Sequence, residues 1–148
     1  MIKKTISLAG CLLLALNVSA LDAGFIAGSS NQPTSFCYGL SAGSGTIVPM
    51  VKFEFEGFRI KELGQNSLSA AVKFRPKFGN FAPYVFVGAG GEFAKLTFHF
   101  SEYGFYTMAG GGFHIFFSSM FSLRFDLRFL HFSDIDRTRV SGGVFIHL

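Results

Sequence analysis

The chain has no tryptophan, only four prolines and two cysteines in 148 residues, and just 15% of its side chains are charged. Each shortage closes off a class of protein. One cysteine, Cys11, falls in an apolar N-terminal stretch, which leaves Cys37 as the single thiol of the remaining chain and permits no intrachain disulfide there. His99, His114 and His147 are scattered over separate segments, with no spacing suited to a metal ion. Gly88-Ala89-Gly90-Gly91 and Gly110-Gly111-Gly112 are not followed by the Lys-Ser/Thr and helix start that a phosphate loop needs, so no metal and no cofactor is expected. No run of 18 apolar residues follows residue 20, which excludes a transmembrane helix there, and no segment of that part shows an apolar 3.6 period. A basic tail or basic helix is also missing, so nucleic acid is not a natural partner.

What is present begins with a leader. Lys3 and Lys4 form a basic region, Ile6 to Leu16 an apolar core, and Val18-Ser19-Ala20 a small-residue cleavage site. Residues 1–20 therefore read as a cleaved secretory signal peptide, and residues 21–148 as one domain. Leu8-Ala9-Gly10-Cys11 also reads as a lipobox that would lipidate Cys11, but the apolar run Leu12-Leu13-Leu14 stands where a polar tether is expected. Without residues 1–20, which hold two lysines and no acid, 11 cationic side chains face 9 acidic ones, a net charge of +2.

The chain is 49% hydrophobic with 21 phenylalanines, and it spreads them by alternation. Phe121, Leu123, Phe125, Leu127 and Phe129 alternate with Ser122, Arg124, Asp126 and Arg128, the period of a strand with one apolar and one charged face. Val51, Phe53 and Phe55 alternate in the same way with Lys52, Glu54 and Glu56, as do Leu68, Ala70, Val72, Phe74 and Phe78 with Ser69, Ala71, Lys73, Arg75 and Lys77. Eight strands are predicted: Asp22–Ser29, Ser35–Gly43, Ile47–Ile60, Leu68–Phe78, Pro83–Phe98, Gly104–Phe117, Phe121–Phe132 and Thr138–Leu148. High hydrophobicity carried by strands of bilayer-crossing length predicts an all-β fold, a closed antiparallel eight-stranded transmembrane β-barrel. Such a barrel has room inside only for side chains. Lys52, Glu54, Glu56, Lys73, Arg75, Arg124, Asp126 and Arg128 are expected to fill it as an interior charge network of mixed sign. A soluble lipocalin-like barrel could alternate too, but would need a cavity lined by nearly all the phenylalanines. The glycine runs read as bends that let strands coil and make room for large neighbours. Cys37 falls on the polar parity of its strand as an interior thiol, and the histidines read as interfacial or interior-facing. Phe98, Phe100, Tyr103, Phe105 and Tyr106, and Phe116-Phe117 with Met120-Phe121, are expected to form aromatic girdles at the two interfaces.

Phe81-Ala82-Pro83-Tyr84-Val85-Phe86-Val87-Gly88-Ala89-Gly90, Ala109-Gly110-Gly111-Gly112 and Leu123-Arg124-Phe125-Asp126-Leu127-Arg128-Phe129 together resemble the OmpA-like and opacity-type outer-membrane barrels. The terminal Ser141-x-Gly143-x-x-Ile146-x-Leu148 resembles the signal by which the assembly machinery recognises such barrels, with Leu148 where that signal prefers Phe. The resemblance implies the outer membrane of a diderm bacterium. The implied partners are outer-membrane lipid, lipopolysaccharide included, and the barrel-assembly machinery during biogenesis.

One arrangement invites a catalytic hypothesis. His131 and Ser133 lie two apart at the extracellular end of the seventh strand and share a side of it, so an imidazole could take the proton of a nucleophilic hydroxyl. Arg128-Phe129-Leu130-His131-Phe132-Ser133-Asp134 resembles the His-x-Ser-Asn segment of lipid A 3-O-deacylases. That resemblance implies an esterase with His131 as base and Ser133 as nucleophile, Asp134 standing where the family has Asn. The acid expected on the next strand is missing from Val140 to Leu148, leaving Asp134 and Asp136 in the turn as substitutes. Against this, interfacial polar residues also end transmembrane strands. The expected role is structural or surface-interactive and not enzymatic, with short loops that offer little recognition surface.

Overall fold

The computed structural model describes residues 21–45, 48–94 and 104–148. These form eight strands: β1 (Leu21–Ser30), β2 (Ser35–Gly45), β3 (Val51–Ile60), β4 (Gln65–Phe74), β5 (Phe81–Phe93), β6 (Gly104–Phe116), β7 (Phe121–Phe132) and β8 (Asp136–His147). Each pairs antiparallel with its sequence neighbour, and β1 pairs with β8 from Asp22↔His147 to Ser30↔Arg139, closing the barrel. Closure leaves no strand edge with unpaired amides, which is what a backbone in hydrocarbon requires. Residues 21 and 148 meet at one end, where each amide nitrogen donates to the other's carbonyl at 3.1 and 2.8 Å. This is the terminus end, and the turns at 31–34, 61–64 and 133–135 mark the opposite, loop end.

Three boundaries depart furthest from the predicted strands. β3 begins at Val51 because Val48 to Met50 turn first, with the Val51 amide donating to the Val48 carbonyl at 3.0 Å. β4 stops at Phe74, since Pro76 has no amide hydrogen for the ladder. Phe78 instead forms an isolated bridge with Phe81 around Gly79, whose φ of +60° suits a residue without Cβ. β5 spans Phe81–Phe93, while Phe98, its predicted end, and Ile47 of the third predicted strand lie outside the described residues, as does the leader.

Burial decides which face is which. Phe55 is 62% exposed, while Glu54 and Glu56 on either side of it are 6% and 4% exposed. A soluble carrier would reverse these values. The outer wall is apolar from strand to strand, with Phe25, Leu40, Phe55, Leu68, Val85, Phe125 and Phe129 all exposed.

Ions do not fill the interior by themselves, as parity alone had led one to expect. Two apolar groups flank them. One is Ala71, Tyr84, Phe86, Tyr106, Met108, Leu130 and Phe132, and the other is Ile26, Cys37, Phe58, Ile60 and Phe145. Space for the large rings comes from β6. Gly110 and Gly112 stand directly opposite Phe86 and Tyr84, and a Cβ on Gly112 would sit 2.7 Å from Tyr84 Oη and collide with the Phe125 carbonyl.

Candidate functional site: the charged interior and its two mouths

The middle of the barrel is closed by side chains from three strands. Alternation aims Glu54 and Glu56 of β3, Lys73 of β4, and Arg124, Asp126 and Arg128 of β7 at the axis, and all six are buried. Arg124 is the hub. Its Nη1 donates to Glu54 at 3.0 Å, its Nη2 to Glu56 at 2.9 Å and to Asp126, and its Nε to Tyr84 Oη at 2.8 Å. Arg128 grips Glu56 with both terminal nitrogens, one of them at 2.7 Å, and Asp126 at 2.7 Å, while Lys73 lies 2.5 Å from Glu54. Ser141 Oγ from β8 donates to Asp126 at 2.8 Å. Three cations therefore meet three carboxylates, and the guanidinium of Arg128 also lies 4.8 Å from the Phe86 ring centre and that of Arg124 5.0 Å from Phe145. Buried ions are tolerable only when paired and hydrogen-bonded, which this cluster achieves by sharing.

Six of the eight network residues expected from sequence thus meet. The other two lie nearer the terminus end. Arg75 pairs with Asp22 at 2.8 Å, and Lys52 is half-buried and makes no direct ion pair among the described residues. Sequence reasoning missed Asp22, Tyr84, Ser141 and a chain of hydrogen bonds that starts at Asp22. His147 Nδ1 donates to Asp22 at 2.7 Å, Ser122 Oγ lies 2.7 Å from His147 Nε2, and His114 Nδ1 lies 2.9 Å from the same hydroxyl. In the neutral tautomer that Asp22 selects, Ser122 donates to His147 and accepts from His114, leaving His114 Nε2 buried without a partner. The order Asp-His-Ser repeats that of a hydrolytic triad. Ser122 is 0% exposed, however, and its hydroxyl is held from both sides, so no acyl group reaches it. The chain ties β1, β6, β7 and β8 together and reads His114 and His147 as interior residues.

At the loop end the interior opens into a cup of about 540 Å³ lined by Glu92, Phe132, Gln65 and Arg137 inside a rim that includes Ser133 and Asp134. Arg137 Nη1 donates to Glu92 at 2.7 Å, and Arg139 Nη2 lies 3.8 Å from the other Glu92 oxygen. Tyr106 turns inward here and shares a 2.7 Å hydrogen bond with Ser67.

The proposed catalytic residues sit on the outer wall at this end. His131 faces outward opposite Asp136, and its Nδ1 donates to Asp136 Oδ1 at 2.5 Å. The carboxylate that reaches the imidazole is therefore that of Asp136; Asp134 is exposed in the turn. Ser133 lies in the same turn, beyond the end of β7, and makes no hydrogen bond to His131. An esterase would need that second contact as well.

Aromatic placement also departs from expectation. Phe105, Phe117, Met120 and Phe121 are exposed on the outer wall, but Tyr106 and Phe116 point inward, the Phe116 ring tilted against His147 at 4.8 Å. Strand alternation separates neighbours such as Phe105 and Tyr106, so a sequence cluster of aromatics cannot all face one way. Phe98, His99, Phe100 and Tyr103 lie outside the described residues. Cys37 is a buried free thiol facing inward.

No family model and no curated protein matches the chain. Solved structures do. The N-terminal β-barrel domain of Pseudomonas aeruginosa OprF superposes with a TM-score of 0.75 at 14% identity, over 87% of this chain and 97% of that one. Neisserial surface protein A gives 0.67 at 13% identity over 86% and 95%, and Yersinia pestis Ail in a phospholipid bilayer nanodisc gives 0.56 at 12% identity over 86% and 99%. A de novo designed transmembrane barrel gives 0.65 at 15% identity over 87% and 95%. A likeness shared with a designed protein speaks for architecture and not for activity. The fold is the closed antiparallel eight-stranded β-barrel that these outer-membrane proteins share.

Proposed function

We propose that this chain is an integral outer-membrane protein of a diderm bacterium, with a sealed interior and a structural or surface-interaction role. The observation that carries this reading is the pairing of an apolar outer wall with a charge-balanced, fully buried ion cluster across the middle. Strands of 10 to 13 residues rise about 3.3 Å per residue, and when tilted they match an apolar band roughly 25 Å tall. In this reading residues 1–20 direct export, the terminus end faces the periplasm and the loop end faces outward. Outer-membrane lipid, lipopolysaccharide included, then covers the wall, and the assembly machinery recognises β8 during biogenesis. Among the described residues the ion cluster lies across the middle of the interior, which argues against a diffusion pore.

The test is expression in a diderm host followed by membrane fractionation and electrophoresis with and without boiling. A folded barrel migrates differently in the two samples and is found with the outer membrane; recovery without detergent would sink the proposal. Lipid A from the same cells, analysed by mass spectrometry beside a Ser133→Ala variant, separates this role from an esterase. Unchanged lipid A in both is expected. Loss of an acyl mass that requires Ser133 would replace the structural role with hydrolysis.

A further inference from the structure

The charged interior is uneven along its axis. Three cations meet three carboxylates in the middle, but toward the loop end two arginines share one buried carboxylate: Arg137 and Glu92 line the cup, and Arg139 lies behind Glu92. Arg139 is 1% exposed, and its Nε finds no hydrogen-bond partner among the described residues. It approaches Glu92 at 3.8 Å and lies 4.6 Å from the Phe58 ring, and its cross-strand neighbours are Ser30 on β1 and, on β7, Arg128, another cation. Among the described residues the Nε atoms of both Arg137 and Arg139 are buried without hydrogen-bond partners, and so is Glu92 Oε1, the oxygen turned toward Arg139. A buried guanidinium with unmet donors is costly, and one carboxylate cannot satisfy two of them. Arg137 holds Glu92 at hydrogen-bond distance and Arg139 does not.

We infer that the cup is an oxyanion-binding site, in which a phosphate or carboxylate group entering from the loop end takes the guanidinium of Arg137 and releases Glu92 to close on Arg139. The incoming group supplies the missing negative charge, and each arginine gains a partner. Arg137 is suited to this because it lines the cup, its guanidinium carbon lies 4.7 Å from the centre of the Phe132 ring, and its fork matches an oxyanion. The rim carboxylate Asp134 is exposed to water, which screens it, and so opposes an anion less than the buried arginines attract one. Glu92 is a competitor for the arginines in this arrangement. That gives the site an unusual sign: removing the Glu92 charge must strengthen anion binding.

The inference deepens the surface-interaction reading and relies on it only for which way the cup faces. It is tested on the purified barrel in detergent micelles by following the arginine Nε–H signals in nitrogen-15 NMR during titration with inorganic phosphate, against chloride at equal ionic strength. Saturable shifts are expected at Arg137 and Arg139 and not at Arg59, which faces outward. Arg137→Gln should weaken phosphate binding by about tenfold or more, the value of a charge-assisted hydrogen bond. Glu92→Gln should tighten it, and Arg139→Met, which leaves Glu92 fully engaged by Arg137, should weaken it. Shifts no larger than those from chloride, unchanged affinity in Arg137→Gln, or weaker binding in a folded Glu92→Gln protein would each overturn the proposal. If Glu92→Gln does not fold, Arg139→Met decides, and unchanged affinity there counts against it. A second arm uses nanodiscs with and without an anionic phospholipid, so shifts that need the anionic lipid place the oxyanion on a headgroup and shifts with phosphate alone place it on a solute. Heat-dependent gel mobility of the same samples reports the barrel itself, so failure to bind and failure of the barrel reading give different results.

Discussion

Arg124 shows how much one side chain carries inside this barrel. Its guanidinium satisfies Glu54, Glu56 and Asp126 at once and also holds Tyr84. Replacing it with methionine leaves those carboxylates under-compensated in a closed interior, and the expected loss is about 3–5 kcal/mol. Urea unfolding in micelles, followed by circular dichroism, measures this, and Arg124→Lys should lose clearly less because it keeps the charge and gives up only the fork. Equal losses in the two variants would mean that the geometry of the fork, and not the charge by itself, holds the cluster. Ser122 makes a second residue-scale case. Ser122→Ala removes the hydroxyl between His147 and His114 and leaves buried ring nitrogens unpaired, at a cost of about 1–3 kcal/mol in the same assay. Histidine NMR should still show the His147 ring held by Asp22, since that contact does not involve Ser122. The two sites were not equally visible from sequence. Arg124 was legible because β7 alternates without interruption. The relay was not, because Asp22 and His147 are brought together only by closure of β1 on β8, which no local pattern encodes.

Among the strands, legibility followed the contrast between faces. β3 and β7 set phenylalanine against charge, and the even-numbered residues of both face inward as alternation requires. β5 and β6 carry apolar residues on both faces, so Tyr84, Phe86, Tyr106 and Met108 could not be told from lipid-facing residues by composition. Their inward rings are placed by register, each of Tyr84 and Phe86 opposite a glycine. The irregular stretch Arg75-Pro76-Lys77 reads as strand because its charges continue the alternation, and the missing proline donor outweighs that pattern. Position along a strand also sets what a substitution costs. Phe125 is exposed on the outer wall near the centre of β7, and His131 lies on the same wall close to its loop end. In lipid bilayers, Phe125→Arg should cost about 2–4 kcal/mol and His131→Arg about 0–1, the depth dependence of an exposed cation on a barrel wall. Refolding titrations in bilayers of fixed thickness measure both. Similar costs at the two positions would contradict a membrane-spanning β7.

At the scale of the whole molecule, charge is layered. The middle is neutral, with Lys73, Arg124 and Arg128 against Glu54, Glu56 and Asp126. Toward the terminus end Arg75 and the half-buried Lys52 share the interior with Asp22, and toward the loop end Arg137 and Arg139 share Glu92, so among the described interior side chains each end carries one cation in excess. A narrow channel with low-dielectric walls focuses such an excess on any ion that enters. Whether the barrel conducts depends first on volume, since the two long side chains of Glu56 and Arg128 lie across its axis from opposite strands. Planar-bilayer recording of the natural chain should show no steady conductance. The double variant Glu56→Ser with Arg128→Ser keeps the middle neutral and removes both side chains, so it should open a water path and pass ions. Glu56→Gln with Arg128→Met also keeps neutrality but retains the bulk, and should stay closed. If both pairs open, the barrier is electrostatic; if only the serine pair opens, it is steric, as the packing implies. In the opened barrel the two cationic mouths remain, so under a salt gradient the reversal potential should shift toward that of chloride. A shift toward the cation would mean that the excess positive charge at the mouths does not control entry, and the layering would then have no bearing on what the barrel admits.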